Sequence, residues 1–390
     1  MFLLSKEELQ KNDAEVTVRE IEQQPELWQE VLAYFQEEST RIQSFFKKIR
    51  EEHNHIRVIF TGAGSSAYVG DTILPYLKEI DDESLFEFQA IPTTTLVSNP
   101  KSYFKKDKPT ILVSFARSGN SPESIASVEL GQQIVDDFYQ ITITCAPQGK
   151  LALKAADDSD NLLLLMPDRS NDQGFAMTGS FTCMTLMATL LFDSTELDIK
   201  ERYVNQIIEM AQHIFHHENE IEDLIKSDFN RVIYLASGPL AGIAREVQLK
   251  ILELTAGKMA TAFDSSLGFR HGPKSFIDNK SLAFLLVSND PYTRQYDLDM
   301  LEELHTDGIA NCVFSVEVAH ENSFSGAKFS FDARYQDLPD AYLALPYTVF
   351  GQVISMLSAI KVGNKPDNPS PTGTVNRVVK GVIIHKNLNQ

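Results

Sequence analysis

The sequence predicts two tandem, doubly wound α/β domains, each on a parallel sheet, behind an N-terminal helical segment. Three observations carry that prediction. One is length, because 390 residues suit two domains of roughly 150 residues better than one. Another is an internal repeat: residues 57–67 read RVIFTGAGSSA and residues 231–241 read RVIYLASGPLA, an offset of 174. At that offset ILVS at 111–114 also faces LLVS at 285–288, and ITITCA at 141–146 faces SVEVAH at 315–320. A period this long marks duplicated domains, not a solenoid unit. The third is the alternation of β-rich apolar runs with helical patterns, which selects a parallel sheet covered on both faces.

Residues 1–50 form the helical segment, with Pro25 and Trp28 near a helix start and charged residues on the outer faces. The first domain, 51–200, has strands at about 57–61, 110–115, 140–145 and 162–166 among helices near 66–80, 122–137 and 176–192. A connector at 201–228 belongs to a helical pattern over 195–226, and the second domain spans 229–365. A Pro/Gly/Asn-rich loop from Gly363 to Thr374 leads into the tail, 366–390, which holds one last apolar run, Val378–Ile384.

Composition narrows the function. A formal charge of −19 argues against a nucleic-acid partner, which would need clustered Lys and Arg to displace counterions. An anionic substrate must then be met by a local site, since the global field repels it. Cys145, Cys183 and Cys312 are scattered without a CxxC pair, so neither a zinc site nor a redox motif is expected. Charged residues follow soon after Met1–Leu4, and the stretches read as the longest apolar ones, Leu162–Met166 and Met184–Phe192, fall short of the ~18 residues of a membrane span. A soluble, cytoplasmic protein without a membrane partner is expected.

Three segments carry chemistry. Gly62-Ala63-Gly64-Ser65-Ser66-Ala67 follows a strand and opens a helix, where free N–H groups bind an anion. The same pattern satisfies G-x-G-x-x-G/A, with Asp81 and Asp82 about 20 residues on, where a ribose-binding acid would sit. A dinucleotide site and a bare tight turn both remain open on that pattern. The second segment, Ser114 to Ser124, contains Arg117-Ser118-Gly119-Asn120-Ser121-Pro122-Glu123 between another strand and helix. Hydroxyls and loop amides around one glycine make a cup for a compact dianion, to which Arg117 adds charge; a serine-rich helix cap is the plainer alternative. Two such loops in one sheet suit a phosphomonoester better than a pyrophosphate cofactor. In the second copy Glu246, Lys250 and Glu253 share one helix face, as a solvated ion-pair stripe also would. Downstream, His271 lies in Phe269-Arg270-His271-Gly272-Pro273-Lys274, on a stiff turn that suits an acid–base group or simply a loop histidine.

Those residues together resemble the sugar isomerase (SIS) superfamily from about residue 20 to the end of the chain. EIEQQP at 20–25, GAGSSA, ARSGNSPES, REVQLKILEL, FRHGPKSFI and VNRVVKGVIIH are similar to the two-domain isomerase half of glucosamine-6-phosphate synthase. The chain departs from that enzyme informatively. Ala116-Arg117-Ser118-Gly119 replaces Ser-Gln-Ser-Gly, Gly179 stands where the synthase has a lysine, and two extra residues separate Glu253 from His271. No Cys-led glutaminase domain precedes the repeat. These features, with NDQGFAMTG at 171–179 and NPSPTGTVNRVV at 368–379, resemble the galactosamine-6-phosphate deaminase/isomerase family, also labelled tagatose-6-phosphate ketose/aldose isomerases.

The resemblance implies that Gly64, Ser65, Ser66, Arg117, Ser118, Gly119, Asn120 and Ser121 line a substrate phosphate site and Thr178 the sugar pocket. Glu253 would shuttle a proton between C1 and C2, His271 would assist ring opening, Lys250 and Glu246 would orient them, and Lys380 would lie in the closing tail. A reach of His271 into the neighbouring subunit's site implies a homodimer. The implied reaction takes galactosamine 6-phosphate to tagatose 6-phosphate and ammonia without metal or cofactor. A plain aldose–ketose isomerase is the nearest alternative. A non-catalytic phosphosugar regulator is another, opposed by the pairing of Glu253 with His271 and by the lack of a helix-turn-helix extension.

Overall fold

The structure, a computed structural model, describes residues 4–80, 85–377 and 381–386. The chain opens with α1 (Lys6–Asn12), α2 (Glu15–Glu22), α3 (Gln24–Glu37) and α4 (Ser39–Glu52), as the helical pattern predicts. Then come β1 (Ile56–Thr61), α5 (Ser65–Ile80), β2 (Phe86–Ala90), α6 (Thr93–Ser98), α7 (Pro100–Tyr103), β3 (Thr110–Ala116), α8 (Pro122–Ile134), β4 (Phe138–Thr144), α9 (Lys150–Ala155) and β5 (Asn161–Leu165). Next are α10 (Gly179–Phe192), α11 (Leu197–His216), α12 (Glu218–Ile225), β6 (Arg231–Ala236), α13 (Leu240–Leu254), β7 (Ala260–Asp264) and β8 (Ser281–Leu286). The last are α14 (Pro291–Asp307), β9 (Cys312–Val318), β10 (Ala327–Phe331) and α15 (Asp340–Lys361).

The strands form two five-stranded sheets, ordered β2-β1-β3-β4-β5 and, read from the other edge, β7-β6-β8-β9-β10. Every ladder is parallel, so both sheets share one doubly wound topology. Interior strands β1, β3 and β8 are buried along their whole length, as expected of strands covered on both faces. Strand order reverses between β1 and β3 in one sheet and between β6 and β8 in the other. Ligand crevices of open α/β sheets lie at such points, outside the carboxyl ends of the strands.

The repeat is real, but its offset drifts. Arg57 pairs with Thr110 and Arg231 with Ser281, so Thr110 corresponds to Ser281, an offset of 171; the segment between the two strands is shorter in the second copy. LLVS at 285–288 is therefore not the partner of ILVS. The repeated arginine does the same work in both copies: Arg57 Nη1 donates to the Tyr103 carbonyl at 2.5 Å and Arg231 Nη1 to that of Phe276 at 2.7 Å.

The contacts divide the chain into two compact units, each built from separate stretches. A first-sheet unit comprises Glu30–Asp172, Gly179–Ser194 and Thr374–Gln390. A second-sheet unit comprises Met1–Gln29, Gln173–Thr178 and Thr195–Gly373. In the latter, α15 packs on α11, α12 and α13 and is the central core helix. It is 22 residues long and apolar enough to cross a membrane, yet 94% of its apolar window is buried inside the fold. This helix, not Leu162–Met166 or Met184–Phe192, is the long apolar segment among the described residues.

Candidate active site

In the first-sheet unit both glycine-bearing loops sit at the carboxyl ends of adjacent strands. β1 and β3 pair in register as far as Thr61 and Ser114, so Gly62–Ser66 and Arg117–Ser121 leave the sheet side by side. Thr93 supports the first loop, donating from N at 2.8 Å and from Oγ1 at 3.1 Å to the Gly62 carbonyl. Gly64 is exposed, and Ser65 and Ser66 are buried at the start of α5. In the second loop Gly119 has φ +63°, a left-handed turn that glycine makes without strain. A side chain at Gly149 would come within 2.4 Å of the Ser118 carbonyl, so that neighbouring turn must also be glycine.

The serine-rich loop is not simply a helix cap. Ser121 occupies the N-cap position of α8 at φ −61° and ψ 129°, but its side chain makes no capping bond. The Ser118 hydroxyl accepts from Asn120 N at 3.3 Å, and the Asn120 side-chain oxygen accepts from Lys150 N at 3.1 Å. The loop is thus braced from behind at the carboxyl end of β3, beside the start of α8, where helix-start amides suit a phosphate dianion. Arg117 is buried beside it and donates from Nη2 to the Arg377 carbonyl at 2.7 Å. The dinucleotide reading loses its acid: β2 ends in Ala90, followed by Ile91, Pro92 and Thr93, with no carboxylate where the ribose would need one. Asp81 and Asp82 lie outside the described residues.

Within the second-sheet unit α13 presents the other cluster. Lys250 Nζ lies 2.6 Å from Glu253 Oε2 and 3.5 Å from Glu246 Oε1. The side chains of Lys250 and Glu246 are 1% and 0% exposed, and that of Glu253 is 24% exposed. This is no solvated stripe, because α13 is covered by β6, β7 and α15. A buried ammonium flanked by two carboxylates is costly unless paired, and here it orients one carboxylate that reaches solvent.

His271 stands apart from that cluster. It ends the short 3₁₀ turn Gly268–His271, is exposed, and makes no hydrogen bond or ion pair among the described residues. Its turn is nailed to α14 by Arg270 Nε at 2.6 Å and Lys274 Nζ at 2.5 Å from Glu303, with Lys274 also 2.5 Å from Asp307. Those carboxylates hold the Lys274 ammonium above its usual range. Thr178 is buried just before α10, and Lys380 lies outside the described residues.

Two further carboxylates had no prior assignment. Glu20, buried in the EIEQQP motif, accepts from Gln173 N at 2.5 Å and Gly174 N at 3.1 Å, fixing the segment that leads to Thr178. Asp172 accepts from Gly179 N at 3.1 Å and Ser180 N at 3.0 Å, anchoring the start of α10 where the synthase lysine is missing. Both motifs are visible in the sequence, but their roles depend on folding back.

No protein-family profile matches the chain. D-galactosamine-6-phosphate deaminase AgaS of Shewanella sp. (strain ANA-3) is 42% identical over 385 residues, covering 98% of this chain and 95% of the relative. A crystal structure from Clostridium novyi NT, provisionally assigned as a tagatose-6-phosphate ketose/aldose isomerase, superposes with a TM-score of 0.91 at 41% identity over 98% of each chain. The C-terminal domain of glucosamine-fructose-6-phosphate aminotransferase from Francisella tularensis shares the fold, with a TM-score of 0.75 at 18% identity over 90% of this chain and 98% of that one.

Proposed function

The chain belongs to the D-galactosamine-6-phosphate deaminase family, and from that premise we propose that it converts galactosamine 6-phosphate and water to tagatose 6-phosphate and ammonia. The observation that carries the assignment is the cluster on α13, where a water-shielded ammonium holds a carboxylate that itself reaches solvent. Ser65, Ser66, Ser118 and Ser121, with the loop amides around Gly64, Gly119 and Asn120 and the charge of Arg117, hold the 6-phosphate. Thr178 lines the sugar pocket. Once the ring is open, Glu253 takes the C2 proton as O1 gains one, leaving an enaminol, and returns it at C1 as the nitrogen gives one up. The product is a C2 imine, which adds water and expels ammonia as the ketose forms. Lys250 keeps the Glu253 carboxylate aimed through a charge-assisted hydrogen bond, and Glu246 balances the Lys250 charge.

Ring opening needs a group that moves a proton between the C1 hydroxyl and the ring oxygen. His271, exposed on a braced turn, performs it in the equivalent site of a second copy, which makes the working form a homodimer. Lys380 belongs to the tail that closes over the sugar. The protein works in the cytoplasm, with neither nucleic-acid nor membrane partner, and the proton relocation requires no metal or cofactor. A second reading, aldose–ketose isomerisation without deamination, draws on the description of the Clostridium novyi structure.

Ammonia release decides between them. Purified protein is expected to release ammonia from galactosamine 6-phosphate faster than from glucosamine 6-phosphate. Glu253→Gln keeps the shape but loses the base, so turnover falls by about 10²-fold or more while sugar binding persists. Ketose phosphate formed from an ordinary aldose 6-phosphate, with no ammonia from any amino sugar, would install the isomerase reading. Binding without conversion of any sugar would leave only a sensor.

A further inference from the structure

Two arginines tie three distant stretches of the first-sheet unit together. Arg117 lies on the loop after β3, next to Ser118 and Gly119, and only 7% of it is exposed. Its Nη2 donates to the Arg377 carbonyl at 2.7 Å. The Arg377 guanidinium in turn donates to Asn171 Oδ1 at 3.2 Å and to the Asp172 carbonyl. Asp172 is the residue whose carboxylate anchors the start of α10 through Gly179 and Ser180. The phosphate loop, the α10 entry and the tail at Thr374–Arg377 are therefore one hydrogen-bonded assembly.

We propose that Arg117 is a positioning residue that fastens the tail to the phosphate loop, rather than a direct phosphate ligand. The proposal rests on the functional reading above and refines the part given there to Arg117. A buried guanidinium with a rigid fork of donors is not a swinging arm. With Nη2 committed to a main-chain carbonyl, its direction is set along the tail. Arginine is the residue type that distinguishes this loop from the Ser-Gln-Ser-Gly of the synthase, and the contact gives that difference a purpose.

The test is hydrogen exchange by mass spectrometry over peptides spanning 370–386 of the full-length protein, without ligand and with inorganic phosphate. It is combined with kcat and KM on galactosamine 6-phosphate. Arg117→Gln is expected to speed exchange of the 374–377 amides about tenfold, the loss of one charge-assisted bond, and to lower kcat about tenfold while KM moves less than about threefold. Arg117→Lys should recover part of the protection, and Arg377→Ala, which keeps the main-chain carbonyl that Arg117 holds, should disturb the tail less than Arg117→Gln does. If Arg117→Gln does not fold, Arg117→Lys, which keeps the charge but loses the fork that reaches the carbonyl of residue 377, carries the test through the same exchange readout. Unchanged tail exchange in Arg117→Gln with a KM raised tenfold or more would overturn the proposal and make Arg117 a phosphate ligand. The exchange arm needs no turnover, so inactivity of the wild-type protein on this sugar would sink the functional reading while leaving the clasp to be judged.

Discussion

The two crevices descend from one repeat and meet the same electrostatic demand in opposite ways. In the first, five residues, Arg117–Ser121, separate β3 from Pro122, and the Ser121 hydroxyl is not spent on capping. In the second, three residues, Ser288–Asp290, separate Val287 from Pro291, and the chain supplies its own acceptors. Asp297, buried on α14, accepts from Ser237 Oγ at 2.7 Å, Ser266 Oγ at 2.5 Å and Ser288 N at 3.0 Å. Asp340 accepts from the Ser288 hydroxyl and, at 2.8 Å, from Asn289 N. Amides and hydroxyls gathered at a topological switch point call for negative charge. On the function proposed above, a ligand brings it to one crevice, whereas the other supplies it from its own side chains.

The largest effect that would break this contrast is on binding. Replacing Ser118 and Ser121 together by Ala should weaken 6-phosphosugar affinity by roughly 1–3 kcal/mol per lost charged hydrogen bond, while unfolding free energy moves by less than about 0.5 kcal/mol. Calorimetric titration beside urea denaturation measures both; unchanged affinity would remove the first crevice from the reaction. The second crevice should respond in reverse. Asp297→Ala strands two hydroxyls and an amide, so stability should fall by about 3 kcal/mol, and inorganic phosphate should raise the variant's Tm more than the wild type's. A loss below about 1 kcal/mol would mean that Asp297 is not the charge that closes the crevice.

The smallest effect is a pH slope. Burial pushes the Asp340 carboxyl up to about 7, against the hydrogen bonds from Ser288 and Asn289. Its folded form then keeps a proton that the unfolded chain releases above about pH 4. Stability should therefore decline as pH rises, levelling off above 7, with about 2 kcal/mol lost between pH 5.5 and 8.5. Asp340→Asn should remove that share of the slope in thermal melts across the range. A slope equal to wild type would leave Asp340 out of the titration.

How much of this was legible in the sequence depended on how a segment is covered. Interior strands are buried at nearly every position and carry runs of β-branched and aromatic residues, so they were found despite polar positions such as Arg57, Gln140 and Glu317. The edge strands β2 (FEFQA), β7 (ATAFD) and β10 (AKFSF) are only half covered, and their broken apolar pattern hid them. The helix α15 was missed because Pro346, Thr348 and Gln352 interrupt an otherwise apolar run. Spacing placed Glu246, Lys250 and Glu253 on one face but could not reveal that this face is buried, since the cover comes from β7 and α15. Arg377 belongs to the VNRVVKGVIIH motif, but its bonds gave no signal, because the partners lie more than 200 residues away.

The burial of α15 has a consequence for synthesis. Strands β6 to β10 leave the ribosome before the helix that covers them, so the second sheet has an unprotected apolar face until residue 361 is made. A growing chain in that state is an aggregation hazard and a client for chaperones. When α15 does emerge, it offers the translocation machinery a segment whose length and hydropathy match those of a membrane anchor. Packing against α11, α12 and α13 must outpace that recognition. Proline at 346 and the polar Thr348 and Gln352 lower the appeal of the helix to a bilayer without costing it a place in the core.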